Sequence, residues 1–449
     1  MSDIDLAIRG GTVVTPEGVR SADVGIADGV IQAVGPDLTG RKEMDAHGLH
    51  IFPGVIDAHL HFNEPGRADW EGFETGSSAL AAGGGTLYFD MPLNAHPPTV
   101  DAEGFNLKLE AARRQSLTDF AFWGGLVPGN LDSLEDLAEC GVVGFKAFMC
   151  SSGIEDFCGV DDHTLREGMK RAARLGLPVA VHAECEDQVR RLARERIDAG
   201  RVSARDFLES RPVEAELEAI RRAIDAAGET GCALQVVHVS CGAGIELIAQ
   251  ARRRGVNVTG ETCPHYLTLT SADLERIGAT AKCAPPLRSE DHRRALWRQL
   301  LDGNVNNVGS DHSPSPPEMK QGSDFFKIWG GISGVQHTLP LLLTGLEAEG
   351  DRGLRLAAGL LSSRVADRFK LPASKGRFAV GADADLALVQ LDREFEVRAE
   401  DLFYRHRQTP YLGRKLRGAV LRTMVRGRTV FENGRIVSKP FGCLVKPEL

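Results

Sequence analysis

Two histidines a residue apart, His59 and His61, end the apolar run Ile51-Phe52-Pro53-Gly54-Val55-Ile56 in the stretch Asp57-Ala58-His59-Leu60-His61. In an extended strand alternate side chains share a face, so the two imidazoles point the same way and can grip one metal ion. Taken alone, the pair reads better as two satisfied core histidines. Four further polar groups each close a short apolar or β-branched run: Lys146 in Gly144-Phe145-Lys146-Ala147-Phe148, His182 in Ala180-Val181-His182-Ala183-Glu184, His238 in Val236-Val237-His238-Val239-Ser240, and Asp311 in Gly309-Ser310-Asp311-His312. Imidazole suits zinc, cobalt, nickel or iron, and Asp311 adds a hard oxygen. Four histidines and an aspartate exceed what one tetrahedral catalytic zinc with an open position takes, so the set predicts two ions. A pair of ions calls for a bridging anion, and Lys146 stands without a spare acid beside it. As an ammonium it would be repelled; carbamylated by carbon dioxide it would be an anionic bridge. The other reading makes it a salt-bridge partner of a carboxylate, and spacing alone leaves both open.

The elements that must position these groups are legible as an alternation. Apolar runs at Ile51–Phe62, Gly85–Met91, Asp119–Leu126, Val142–Met149, Pro178–Glu184, Ala233–Ser240, Val256–Thr262 and Asn304–Asp311 are separated by amphipathic stretches such as Leu134–Cys140, Asp162–Leu175, Val213–Glu229 and Gly244–Arg254. Strands alternating with helices predict a parallel sheet, and eight such units predict an α/β fold of the (β/α)8 TIM-like barrel type, whose chemistry sits at the carboxyl ends of the strands. The two ends of the chain instead show strand alternation punctuated by glycine, as in Ala7-Ile8-Arg9-Gly10-Gly11-Thr12-Val13-Val14 and Met424-Val425-Arg426-Gly427-Arg428-Thr429-Val430-Phe431. Neither end is long enough to fold alone. The expected organisation is therefore a barrel over residues 51–375 and a small β-sandwich assembled from residues 1–50 and 376–449. The loop His312–Pro317 and the glycine-rich Gly330-Gly331-Ile332-Ser333-Gly334 are the expected site walls.

Composition narrows the class. The 449-residue chain can bury a large core, and its net charge of −9 comes from interspersed acids and bases, which argues against a nucleic-acid partner. No run approaches the ~20 apolar residues of a membrane span, and the start Met1-Ser2-Asp3-Ile4-Asp5 lacks the basic and apolar regions of a signal peptide. A cytoplasmic enzyme acting on a small molecule is expected. The nine cysteines contain no C-x-x-C pair and read as reduced thiols without a catalytic role.

The ordered set His59, His61, Lys146, His182, His238 and Asp311 resembles the amidohydrolase superfamily, in particular its cyclic-amidase branch with a carboxylated lysine. On that resemblance, His59 and His61 with Asp311 hold one metal, His182 and His238 hold the other, and carboxylated Lys146 and a hydroxide bridge them. Zinc is the first expectation, with manganese, cobalt or iron as alternatives. Metal binding brings the pKa of water down to about 7, so a hydroxide nucleophile exists at neutral pH. Asp311 would serve as base toward it and then as acid toward the leaving amide nitrogen. The resemblance also implies a homo-oligomer, a tetramer or a dimer.

Two loops refine the resemblance. His61-Phe62-Asn63-Glu64-Pro65-Gly66-Arg67 with Trp70-Glu71-Gly72-Phe73, and Met91-Pro92-Leu93-Asn94, are similar to the allantoinases, which implies hydrolysis of allantoin to allantoate in purine catabolism. Dihydroorotases carry an arginine where this chain has Asn63, and hydantoinases and dihydropyrimidinases carry a tyrosine in the loop that here reads Met149-Cys150-Ser151-Ser152-Gly153-Ile154-Glu155-Asp156-Phe157. These remain the alternatives, with a non-catalytic scaffold the most distant. By the same resemblance Asn63, Asn94, Ser151, Ala284 and Gly331 contact the substrate. Glu184, two residues after His182, is a candidate hydrogen-bond partner of a ligand. Trp70 and Phe73 are expected to pack, His312 to point away from the metals, and His265 to be structural or to orient the site.

Overall fold

The computed structural model describes residues 4–449; the first three residues, at the start of the expected sandwich and of the segment in which no signal peptide is expected, lie outside it. The apolar runs form eight short strands: β1 (Val55–Leu60), β2 (Gly85–Asp90), β3 (Asp119–Phe122, continued by Gly124–Gly125), β4 (Phe145–Phe148), β5 (Val179–His182), β6 (Leu234–Val236), β7 (Val258–Thr262) and β8 (Asn307–Val308). Each pairs in parallel with the next, from β1 through β3 and from β3 through β8. The segment beyond β8 returns to β1: the Asp311 amide donates to the His59 carbonyl and the His61 amide to the His312 carbonyl, each at 2.8 Å. These bonds bring the last unit of the ring against the first. Strands buried on both faces explain why they read as unbroken apolar runs and not as alternation.

Amphipathic helices cover the strands, among them Ala102–Gln115, Asp162–Arg174, Val213–Thr230 and Gly242–Arg253. Asp101 and Asp161 cap the first two by accepting from the amides of Gly104 and Thr164, which satisfies donors the first turn leaves free. Between β5 and β6 two additional helices, Glu186–Asp198 and Ala204–Ser210, rise over the barrel mouth.

The chain ends share one sheet, in which Leu386–Glu396 pairs antiparallel with His50–Pro53 and so joins carboxyl-terminal to amino-terminal strands. The run Ile51–Phe62, expected as one strand, is two. Ile51 and Phe52 pair with Leu388 and Ala387, and the barrel strand starts at Val55. The break is at Gly54, where a Cβ would fall 2.1 Å from Thr86 Oγ1 and the amide donates to the Asp385 carbonyl at 2.7 Å. The tail also departs from expectation. Instead of ending in the sandwich, it runs beside β3, where Phe120 donates to the Cys443 carbonyl and Val445 to the Phe120 carbonyl, and Val445 is buried in an apolar cluster with Trp123, Val143 and Phe369.

Candidate active site

His59 and His61 leave the end of β1 on one side, as the period of two requires, and Asp311 reaches them from beyond β8. The Nε2 atoms of His59 and His61 lie 3.3 and 3.4 Å from the same Asp311 oxygen. Opposite, His182 at the end of β5 and His238 just past β6 bring Nδ1 and Nε2 to 3.1 Å of each other. The two halves adjoin, with the rings of His59 and His238 centred 5.3 Å apart. Lys146, within β4, is buried, and its Nζ has no hydrogen-bond partner among the described residues; nor has Nδ1 of His238.

Each half is anchored by a carboxylate. His59 Nδ1 lies 2.7 Å from Glu261 Oε1, and His182 Nε2 lies 2.7 Å from Glu184 Oε2, which also takes the Arg211 guanidinium. With those nitrogens occupied, His59 must present Nε2 and His182 Nδ1 to the centre. Burial lowers the pKa of His61, His182 and His238, which favours the neutral imidazole that ligates metals. Burial also brings the Lys146 ammonium down to about 8, against the pull of Asp311 and Glu261. For Asp311 burial acts upward, but His59 and His61 together hold the carboxyl below its ordinary range. The donor set fits a pair of divalent cations: imidazole nitrogens converge on Asp311 in one half and on each other in the second, and the buried Lys146 amine and Nδ1 of His238 have no hydrogen-bond partner among the described residues.

These groups floor a cavity of about 390 Å³. Asn94, Ser151, Ala284 and Gly331 line its wall. Gly331 has φ +153°, and a Cβ there would stand 2.2 Å from the Ser313 carbonyl, so no other residue fits. Asn63 is placed differently: it is buried with φ +66°, donates from Nδ2 to the Pro314 carbonyl at 3.4 Å, and is not among the lining residues. A larger, more open groove of about 520 Å³ around Trp297 and Lys415 holds none of the six ligands.

Several wall residues escaped the sequence reading. Phe207 and Arg211 come from the added helical segment after β5, and Lys282, Phe326 and Trp329 from loops. Arg211 is neutralised by Glu184, whereas Lys282 has no acid within 4 Å among the described residues and donates to the Ile328 carbonyl. The cavity wall thus carries positive charge although Asn63 is neutral. The visible signals were the unusual length of the β5–β6 connection and an acid, Glu261, inside a buried strand. Of the residues assigned to packing, Phe73 is buried and Trp70 meets Trp329 edge to face at 4.9 Å. His312 turns to Glu71, 3.6 Å away, and to the Gly334 amide. His265 is buried beside Cys263 and Asp311, and neither ring nitrogen has a hydrogen-bond partner among the described residues.

A barrel with paired histidine sites at its mouth defines a class of metal-dependent hydrolases, and the chain belongs to the amidohydrolase family, whose model matches residues 50–430. Within it, the chain is 59% identical to an allantoinase of Rubrobacter xylanophilus, covering 100% of this chain and 99% of that one. It is 55% identical to an allantoinase of Solibacter usitatus, over 99% and 97% of the two chains. Among solved structures it is similar to the L-hydantoinase (dihydropyrimidinase) of Arthrobacter aurescens, with a TM-score of 0.96, 35% identity and coverage of 99% and 100%.

Proposed function

We propose that the chain hydrolyses the cyclic amide of allantoin to allantoate. The observation that carries the reading is the ligand geometry, in which His59, His61 and Asp311 face His182 and His238 across Lys146. The full-length identity to allantoinases supports the choice of ring. The first three residues would hold one divalent ion, the two histidines a second, and a carboxylated Lys146 would bridge them, with zinc favoured over manganese, cobalt or iron. Bound there, the ions would lower the pKa of water to about 7 and polarise the ring carbonyl.

The chain's own residues handle the proton. Asp311, kept ionised by His59 and His61, accepts one proton from the attacking water and delivers it to the ring nitrogen as the C–N bond breaks, and the water's second proton leaves to solvent as the new carboxyl group ionises. Phe207, Phe326 and Trp329 shield the ring from bulk water, and Asn94, Ser151 and the backbone at Ala284 and Gly331 offer polar contacts around it. Lys282 adds a cationic donor toward a carbonyl substituent, such as that of a ureido group. A cavity of this size suits a small heterocycle. We extend the reading to a cytoplasmic homo-oligomer, tetramer or dimer, on the family resemblance; no helix among the described residues is long and apolar enough to cross a membrane.

The test is an assay of metal-loaded protein on allantoin, hydantoin, dihydrouracil and dihydroorotate at one pH. Allantoin should have the highest kcat/KM. A preference for any of the other three would overturn the substrate.

A further inference from the structure

Below the metal-facing histidines the barrel interior holds a row of four polar side chains from three strands. Gln235 of β6, Asn307 of β8 and Glu261 of β7 are fully buried, with Thr259 of β7 nearly so. Barrel interiors are ordinarily filled by branched apolar side chains, and a buried amide is costly unless bonded. Here all are bonded in sequence. The Thr259 hydroxyl donates to Gln235 Oε1, Gln235 Nε2 donates to Asn307 Oδ1 at 2.9 Å, and Asn307 Nδ2 donates to Glu261 Oε2 at 2.7 Å. The other oxygen, Oε1, receives His59 Nδ1. Space is reserved for this pair: a Cβ on Gly309 would stand 3.0 Å from both Glu261 Cδ and His59 Cβ.

The direction of the chain is set by chemistry. A carboxylate has no proton to give, so Asn307 must turn its amide nitrogen to Glu261 and its oxygen to Gln235, and Gln235 must in turn offer its own nitrogen. We propose that this one-way chain makes Glu261 a positioning residue, which fixes His59 as the tautomer protonated on Nδ1 and aims its Nε2 lone pair at the metal centre. The inference rests on the metal reading above and adds to it the residues that orient one ligand.

Three variants test it, with zinc alone as the probe. Glu261→Gln leaves one acceptor between two donors, Asn307 and His59, and should weaken zinc binding about 10–100-fold in competition with a chromophoric chelator. Asn307→Asp sets two carboxylates face to face and should weaken it similarly. The double variant, Glu261→Gln with Asn307→Asp, moves the charge one place along while every donor again meets an acceptor. It should recover zinc affinity to within a few-fold of the parent, which a merely space-filling role would not produce. Thr259→Val, nearly isosteric and remote from the metals, guards against loss of fold and should cost about three- to tenfold. Circular dichroism and melting establish folding throughout. Single variants that bind zinc like the parent, a double variant no better than the singles, or an unaffected Thr259→Val would overturn the inference while the metal reading stands. A parent that binds fewer than two zinc ions would overturn both.

Discussion

His182 Nδ1 and His238 Nε2 face one another at 3.1 Å, although 56 residues separate them in the chain and Glu184 already occupies the other nitrogen of His182. Two neutral imidazoles held in that way are a bidentate claw. Protein loaded with zinc, manganese or cobalt should carry two ions per chain by elemental analysis, and His238→Ala should lose at least one of them. Full activity after exhaustive chelation would contradict this.

Lys146 is the buried amine between the two halves. Lys146→Ala should reduce both metal content and allantoin hydrolysis, the latter by more than about a hundredfold, because the carboxylate bridge that the lysine would supply between the ions is lost. A short carboxylic acid in the buffer should restore part of each. Unchanged metal content would return Lys146 to a salt-bridge role.

A second buried lysine serves structure. Lys108 Nζ donates to Asp90 Oδ2 at 2.5 Å and to the Met91 carbonyl at 2.6 Å, and the other Asp90 oxygen accepts the Phe62 amide beside His61. Lys108→Met strands a buried carboxylate and should cost about 3–5 kcal/mol in denaturant unfolding. A loss under 1 kcal/mol would show that water reaches Asp90.

Lys320 provides a pH signature. Its Nζ donates to the carbonyls of Trp329 at 3.0 Å and Gly331 at 2.6 Å, which ties down the wall segment of the cavity. Burial, and then repulsion from Lys282, brings it from 10.5 to about 7. Between those values the unfolded chain holds a proton that the folded chain has released, so stability should rise with pH from about 7 toward 10.5. Lys320→Met should flatten that rise, measured as melting temperature against pH.

Much of the site was readable because its rules are local. The period of two put His59 and His61 on one face, and strand–helix alternation counted the eight units. The polar residue ending each run marked the candidate ligands, although for Lys146 the spacing left a salt-bridge role equally open. Glu184 was legible for the same reason, two residues from His182. What failed to show was nonlocal. Arg211 and Phe207 ride on helices that look like any amphipathic surface segment, and only their docking over the mouth makes them wall. Asn63, placed by motif against the substrate, turns instead toward Pro314, because a side chain's direction follows its backbone, here at positive φ.

The sequence by itself determined which chemical groups this protein could assemble and on which faces of which elements, because composition and periodicity act over a few residues. Tertiary structure alone decided how those groups are aimed. The partner that selects the metal-facing nitrogen of His59 is Glu261, 202 residues away. The break of one apolar run at Gly54 depends on Thr86 and Asp385. Such choices arise when packing brings distant strands into register and each buried polar atom must find a partner, a condition met only in the closed fold.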